Sequence, residues 1–153
     1  MKNSATIFIL LILLNGCAAL EFGKMAFRVP LPVKQITIVS DENANKGFPI
    51  PVDIIIVHSE ELVTVIAELD TDTWFGQRDF IMPQNLGQLE AVSYEVIVGD
   101  FEDPILFDWS DRKNARAVFV FANYIDTNVG KIRVDNIPTP VIHLAQGDIR
   151  VAR

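Results

Sequence analysis

From residue 34 onward the chain alternates between apolar and polar positions in short runs, each closed by turn-forming residues. Lys34 to Ser40 carries Gln35, Thr37 and Val39 on one face and Ile36 and Ile38 on the other, a period of two rich in β-branched residues that predicts a strand. Asp41 to Gly47 is polar and ends in glycine, so it reads as a loop. Val52 to His58 holds the nearly continuous run VDIIIV, which suits a strand covered on both faces. The period then changes. Ser59 is an N-cap residue, Glu60 and Glu61 suit the positive end of a helix dipole, and Leu62, Val65, Ile66 and Leu69 form one helical stripe. Asp70 or Asp72 can cap a second short helix through Trp74, Phe75, Arg78 and Ile81, with Pro83 as its stop. The helical insertion is thus placed at residues 59–82.

Alternation resumes afterwards. Strands are expected at Leu89 to Val98, Ile105 to Trp109, Ala115 to Ala122, Lys131 to Val134, Val141 to Leu144 and Asp148 to Val151. The clearest is Ala115 to Ala122, with Ala117, Phe119 and Phe121 on one side and Val118 and Val120 on the other. Six to eight short strands separated by turns predict a mainly β, two-sheet β-sandwich at residues 34–153 with a short helical insertion.

The N-terminus follows different rules. Lys2 precedes the unbroken apolar run Ile7 to Leu14, which is too short to span a bilayer, where about 20 apolar residues are needed. A basic start, a short apolar stretch and a small residue before a cut describe a secretory signal. Leu14-Asn15-Gly16-Cys17 resembles the lipobox of bacterial lipoproteins, and Cys17 is the only cysteine in the chain. That resemblance implies a signal peptide at 1–16, cleavage before Cys17 and acylation of Cys17. It also implies an outer-membrane destination, because Ala18 follows where inner-membrane retention favours Asp. Residues 17–33, with Gly23, Pro30 and Pro32, read as a lipidated tether.

Charge narrows the partners. The chain has 13 basic and 20 acidic residues, and removing Lys2 leaves 12 against 20, a net charge of −8. Such a domain is a poor nucleic-acid binder, since phosphate recognition needs a basic stripe. With Cys17 acylated no thiol is left for a disulfide, a metal site or a nucleophile. His58 stands beside Ser59 and Glu60, but neighbours on a strand point to opposite faces, so the three do not form a triad. His143 sits within the strand VIHL. The two histidines lack a zinc-binding motif, and no nucleotide-binding glycine motif or G-x-S-x-G is present. Asp100-Phe101-Glu102-Asp103 lacks the spacing of a calcium loop. No cofactor and no metal are expected, and the chain is read as a non-enzyme.

The order of features is a lipobox, a tether, two strands around an Asn-rich polar loop, a helical insertion and further strands. With the stretch PVDIIIVHSEELV and the following Asp72-Thr73-Trp74-Phe75, it resembles the outer-membrane lipoprotein of type VI secretion, the TssJ family. The resemblance covers nearly the whole mature chain. It departs from the family where a Pro-Gly turn gives way to Asn85-Leu86-Gly87 and Val98-Gly99-Asp100. The resemblance implies a transthyretin-like sandwich with a structural role, anchored by its lipid to the periplasmic face of the outer membrane and holding the periplasmic domain of a large inner-membrane protein, TssM. In the family the loop between the first two strands makes that contact. Here it corresponds to Asp41, Glu42, Asn43, Ala44, Asn45, Lys46 and Gly47. Two other readings stand beside it. One is an envelope lipoprotein that binds a peptide or glycan on Trp74, Phe75 or Trp109. The other is an envelope hydrolase built on His58 or His143.

Overall fold

The computed structural model describes residues 29–100, 105–106, 112, 114–126 and 130–152. The expected signal segment, Cys17, the expected tether up to residue 28, Trp109 and residues 127–129 lie outside them. Eight strands form two four-stranded sheets: β1 (Gln35–Ser40), β2 (Ile50–Val57), β3 (Leu89–Val96), β4 (Ile105–Leu106), β5 (Ala117–Ala122), β6 (Lys131–Arg133), β7 (Val141–Leu144) and β8 (Ile149–Val151). One sheet has the order β4-β1-β7-β8 and the other β3-β2-β5-β6. Between β2 and β3 stand α1 (Glu60–Glu68) and α2 (Thr71–Gln84). The mainly β two-sheet sandwich with a helical insertion is therefore the observed fold, the insertion running to Gln84.

All strand pairs are antiparallel except β1 with β7, which run side by side from Thr37↔Val141 to Ser40↔Leu144. β2 is the hinge of the design. It pairs with β3 over its full length and with β5 on its other side, and its apolar run is buried on both faces. Val52 and Ile54 enter the core between the sheets with Ile36, Ile38, Val118, Val120, Ile142 and Leu144. Ile55 and Val57 face the other way, into a second core with Ile66, Trp74, Phe119 and Phe121 beneath the helices. A fully buried isoleucine or valine contributes about 1.5–3 kcal/mol, so strand β2 ties two cores together.

The helices differ from expectation in several details. α1 packs Leu62, Val63, Ile66 and Leu69 on the second core, while Val65 is half exposed. Both sets satisfy a 3.6-residue period, and the position of the sheet selects Val63. Ser59 occupies the N-cap position without a side-chain cap. Lys131 of β6 closes the other end, its Nζ donating to the carbonyls of Ala67 and Leu69. Asp70, rather than Asp72, caps α2 by accepting from Thr73 N at 2.7 Å. Pro83 lies in the last turn of α2 rather than beyond it. Its ring has no N–H, so the bond that position would send back four residues is missing, and the helix ends one residue later.

The tether boundary also moves. Val33 is fully buried, and Leu31 packs against the core between the sheets. Lys34 N donates to Pro138 O at 2.7 Å, so the last residues of the expected tether belong to the domain. Gly130 marks a close crossing: a Cβ there would meet Ala122 O at 2.0 Å, so only glycine lets these strands approach.

Candidate functional site

β1, β3, β5 and β7 finish at one end of the sandwich, where β2 and β8 begin. The segments gathered there are the expected contact loop, the turn at 97–100, residues 123–126 and the turn at 145–148. We refer to this as the loop end. β1 starts from the opposite end, where residues 29–34 lead into it.

The loop from Asp41 to Pro49 is held by backbone bonds and by the side chain of Asn45. Asp41 N donates to Leu144 O at 3.0 Å and Ala44 N to Asp41 O at 3.0 Å. A single 3-10 turn (Ala44–Gly47) follows, and Asn45, Lys46 and Gly47 are consecutively left-handed, with φ of 46°, 58° and 83°. Asparagine enters that region more readily than most residues, and glycine does so freely. Asn45 then uses its whole amide. Its Nδ2 donates to Phe48 O at 3.3 Å and Pro49 O at 3.0 Å, and its Oδ1 accepts from Ile125 N at 2.7 Å. Asn45 is 4% exposed and Ala44 is fully buried.

These positions correct part of the expected contact surface. Ala44 and Asn45 form the inner frame of the loop, while Glu42, Asn43, Lys46 and Gly47 are exposed. Asp41 is intermediate, its Oδ1 lying 2.8 Å from His143 Nε2. Arg150, which can only donate, approaches His143 Nδ1 through Nη2 at 3.1 Å. Nδ1 is therefore the acceptor, which leaves Nε2 to donate to Asp41. Lys46 pairs with Asp126, but both side chains are 59% exposed, and such a pair contributes little.

Neighbouring turns are tied to the same frame. Ser40 Oγ donates to Ile97 O at 3.3 Å and accepts from Gly99 N at 3.0 Å. Tyr124 donates its hydroxyl proton to Asp148 O at 2.8 Å. Burial, then the charges of Asp148 and Asp41, push the Tyr124 phenol well above its ordinary range. A phenol whose folded pKa is raised gives stability that is fully present below the unfolded value and lost as pH rises through the folded one. Of the two tyrosines, Tyr124 is thus expected to ionise only at strongly alkaline pH. Ultraviolet titration of wild type against Tyr124→Phe checks this: the late step should vanish in the variant.

Around this frame lie three exposed apolar side chains that the sequence pattern did not single out: Phe48, Ile97 and Ile125, at 58–59% exposure. Asn45 bonds the backbone of both Phe48 and Ile125. Ile97 follows Val96, the ladder partner of Ile50, so it is level with Pro49. All three resemble strand-end residues in sequence. Only the fold reveals that all three lie at the loop end. Apolar side chains at the same end as exposed Glu42, Asn43 and Lys46 match the mixed make-up of a protein contact.

The other candidates are placed elsewhere. Trp74 is fully buried, donating from Nε1 to Asp53 Oδ2 at 2.8 Å and packing on Phe121 at 5.5 Å between centroids. Phe75 packs against the second core, with Arg78 over its ring. Neither offers a platform for a peptide or glycan. His58 Nε2 meets Glu90 Oε1 at 2.6 Å, and Glu90 Oε2 accepts from Arg112 Nε at 2.9 Å. His58 and Glu90 border an open cleft with Ser59, Gln88 and Asn114. Histidine and carboxylate are two parts of a hydrolytic site. Among the described residues, however, no serine or threonine hydroxyl bonds either histidine ring. The set instead ties the end of β2 to β3 and to Arg112. No cluster of three or more metal-ligating side chains occurs among the described residues, and no helix there is long and apolar enough to cross a membrane.

Sheet order and the helices inserted between β2 and β3 define a small two-sheet β-sandwich. No family model matches the chain, and none of the curated proteins matches it. Solved structures do. Lip of Serratia marcescens, a membrane-bound component of the type VI secretion system, superposes with a TM-score of 0.60 at 12% identity, over 78% of this chain and 95% of that one. The type VI secretion lipoprotein TssJ1 from Pseudomonas aeruginosa gives 0.54 at 16% identity, over 78% and 95%. A chain of a type VI membrane complex gives 0.57 at 12% identity, over 79% and 99%. The protein thus has the fold of the TssJ and Lip lipoproteins, the fold that its sequence resembled.

Proposed function

We propose that this chain is the outer-membrane lipoprotein of a type VI secretion membrane complex, with a structural role. In this reading Cys17 carries the lipid on the periplasmic face of the outer membrane, and the loop from Asp41 to Gly47 holds the periplasmic domain of a TssM-like inner-membrane partner. The observation that carries the reading is the polarity of the domain. The tether enters at one end, and the rigid loop with Phe48, Ile97 and Ile125 stands at the other. The eight residues of β2 separate them by about 25 Å. An anchored domain would then turn its contact surface away from the lipid. Exposed Glu42, Asn43 and Lys46 would give that surface its polar rim.

Acyl anchoring contributes about 0.8 kcal/mol per buried methylene, so several chains on Cys17 would hold the protein firmly. The test is a pull-down of tagged, full-length protein from gently solubilised cell envelopes, with mass spectrometry of what accompanies it. The expected companion is a large inner-membrane secretion protein. A well-folded bait that brings down no inner-membrane protein counts against the reading.

A further inference from the structure

The large apolar side chains left exposed among the described residues fall mainly into two groups at opposite ends of the domain. Phe48, Ile97 and Ile125 belong to the loop end. Val29, Leu86 (80% exposed) and Leu106 (75% exposed) belong to the other. Leu106 is the ladder partner of Gln35, the first residue of β1. Leu86 bridges to Leu89, the first residue of β3, which in turn pairs with Val57 at the end of β2. Because β6 contacts β8, the opposite edges β3 and β4 face one another, and Leu86 and Leu106 share one corner of the sandwich. Val29 precedes Lys34, which is fixed to Pro138 at the same end.

We propose that this tether end is a membrane-contact surface, on which Leu86, Leu106 and Val29 enter the interfacial layer of a phospholipid leaflet. The proposal rests on the reading that Cys17 is acylated. Its occupant follows from where the chain leaves the domain. The dozen or so residues between Cys17 and Val29 reach at most about 40 Å when extended, so the tether end stays within that distance of the leaflet. Three partly inserted apolar side chains would bind a bilayer weakly by themselves. A tether that short raises the effective concentration, so a weak contact is enough to set orientation. The consequence is a domain standing on its tether end, with the loop end directed away from the membrane.

The test uses the acylated full-length protein, in which Cys17 is blocked. Leu86→Cys, Leu106→Cys and, at the loop end, Asn43→Cys are each labelled with a polarity-sensitive dye. Each is reconstituted into vesicles of phosphatidylethanolamine and phosphatidylglycerol with or without brominated acyl chains. All three side chains are exposed, so the fold tolerates the changes. The expected result is blue-shifted emission at 86 and 106, quenched by the brominated chains, and neither effect at 43. Acylated protein that floats with the vesicles while 86 and 106 behave like 43 overturns the proposal and leaves the anchor standing. A blue shift that grows with protein concentration and resists bromine quenching overturns it in favour of a second copy of the chain. An intact mass without acyl groups overturns the anchor and this surface together.

Discussion

Asn45→Ala is expected to lower stability by about 3 kcal/mol and to abolish partner capture, although the Asn45 side chain is buried and cannot touch a partner. The substitution leaves Phe48 O, Pro49 O and Ile125 N without their shared amide. Leaving a buried polar group unpaired costs about 1–3 kcal/mol. It also places alanine at a φ of 46°, which adds about 1 kcal/mol. Part of the loss is recovered where water reaches the freed carbonyls. Asn45→Gly separates the two effects, since it keeps the left-handed turn and loses only the amide. Asn45→Asp should be worse than Asn45→Gly, because a carboxylate would face two carbonyl oxygens. Asn43→Ala, at an exposed position, should stay within about 0.5 kcal/mol of wild type. Urea unfolding of the four variants beside wild type checks the order. Bulky substitution at Asn45 would therefore disturb the loop itself, and the contact surface is better probed at Asn43 and Phe48.

Asp53→Ala is expected to cost a further large amount, about 2–4 kcal/mol, through the helical pair. Asp53 is 1% exposed on the helix-facing side of β2. Its Oδ2 accepts from Trp74 Nε1 and Arg78 Nη1, both at 2.8 Å. Removing the carboxylate orphans the buried indole N–H and leaves a gap against Phe121. Arg78 is 36% exposed and can turn to water, so the ion pair itself supplies the smaller share. Asp53→Asn keeps an acceptor for Trp74 and should recover much of the loss. A lower urea midpoint for the alanine variant, with altered near-ultraviolet circular dichroism from Trp74, checks the assignment. If alanine proved neutral, the carboxylate would not be what fastens α2 to the sheet.

The elements that sequence revealed are those where one short period decides the outcome. Alternation in Ala117 to Ala122 correctly assigned Phe119 and Phe121 to one core and Val118 and Val120 to the other. The unbroken run in β2 correctly indicated cover on both faces. Pairing between distant segments was not legible. Nothing local in Thr37 or Val141 specifies the parallel ladder of β1 with β7, because such pairing depends on the whole sandwich closing. The helical stripe failed at Val65 because two neighbouring stripes fit the same period. At the loop, polarity correctly marked Asp41 to Gly47 as a turn but placed Asn45 outside. Its tendency toward left-handed φ was the available hint, while its bond to Ile125 joins residues 80 apart in sequence that only the pairing of β2 with β5 brings side by side. Phe48, Ile97 and Ile125 were invisible as a group for the same reason.

The most direct measurement is equilibrium binding of the periplasmic domain of the captured partner to the acylated protein, wild type against Phe48→Asp and Leu86→Ser. Burying one phenylalanine contributes about 1.5–3 kcal/mol, so Phe48→Asp should weaken binding by about tenfold or more. Leu86→Ser, at the tether end, should leave the affinity of the partner unchanged. Wild-type affinity in a folded Phe48→Asp variant, or a loss confined to Leu86→Ser, would contradict the assignment of the contact to the loop end.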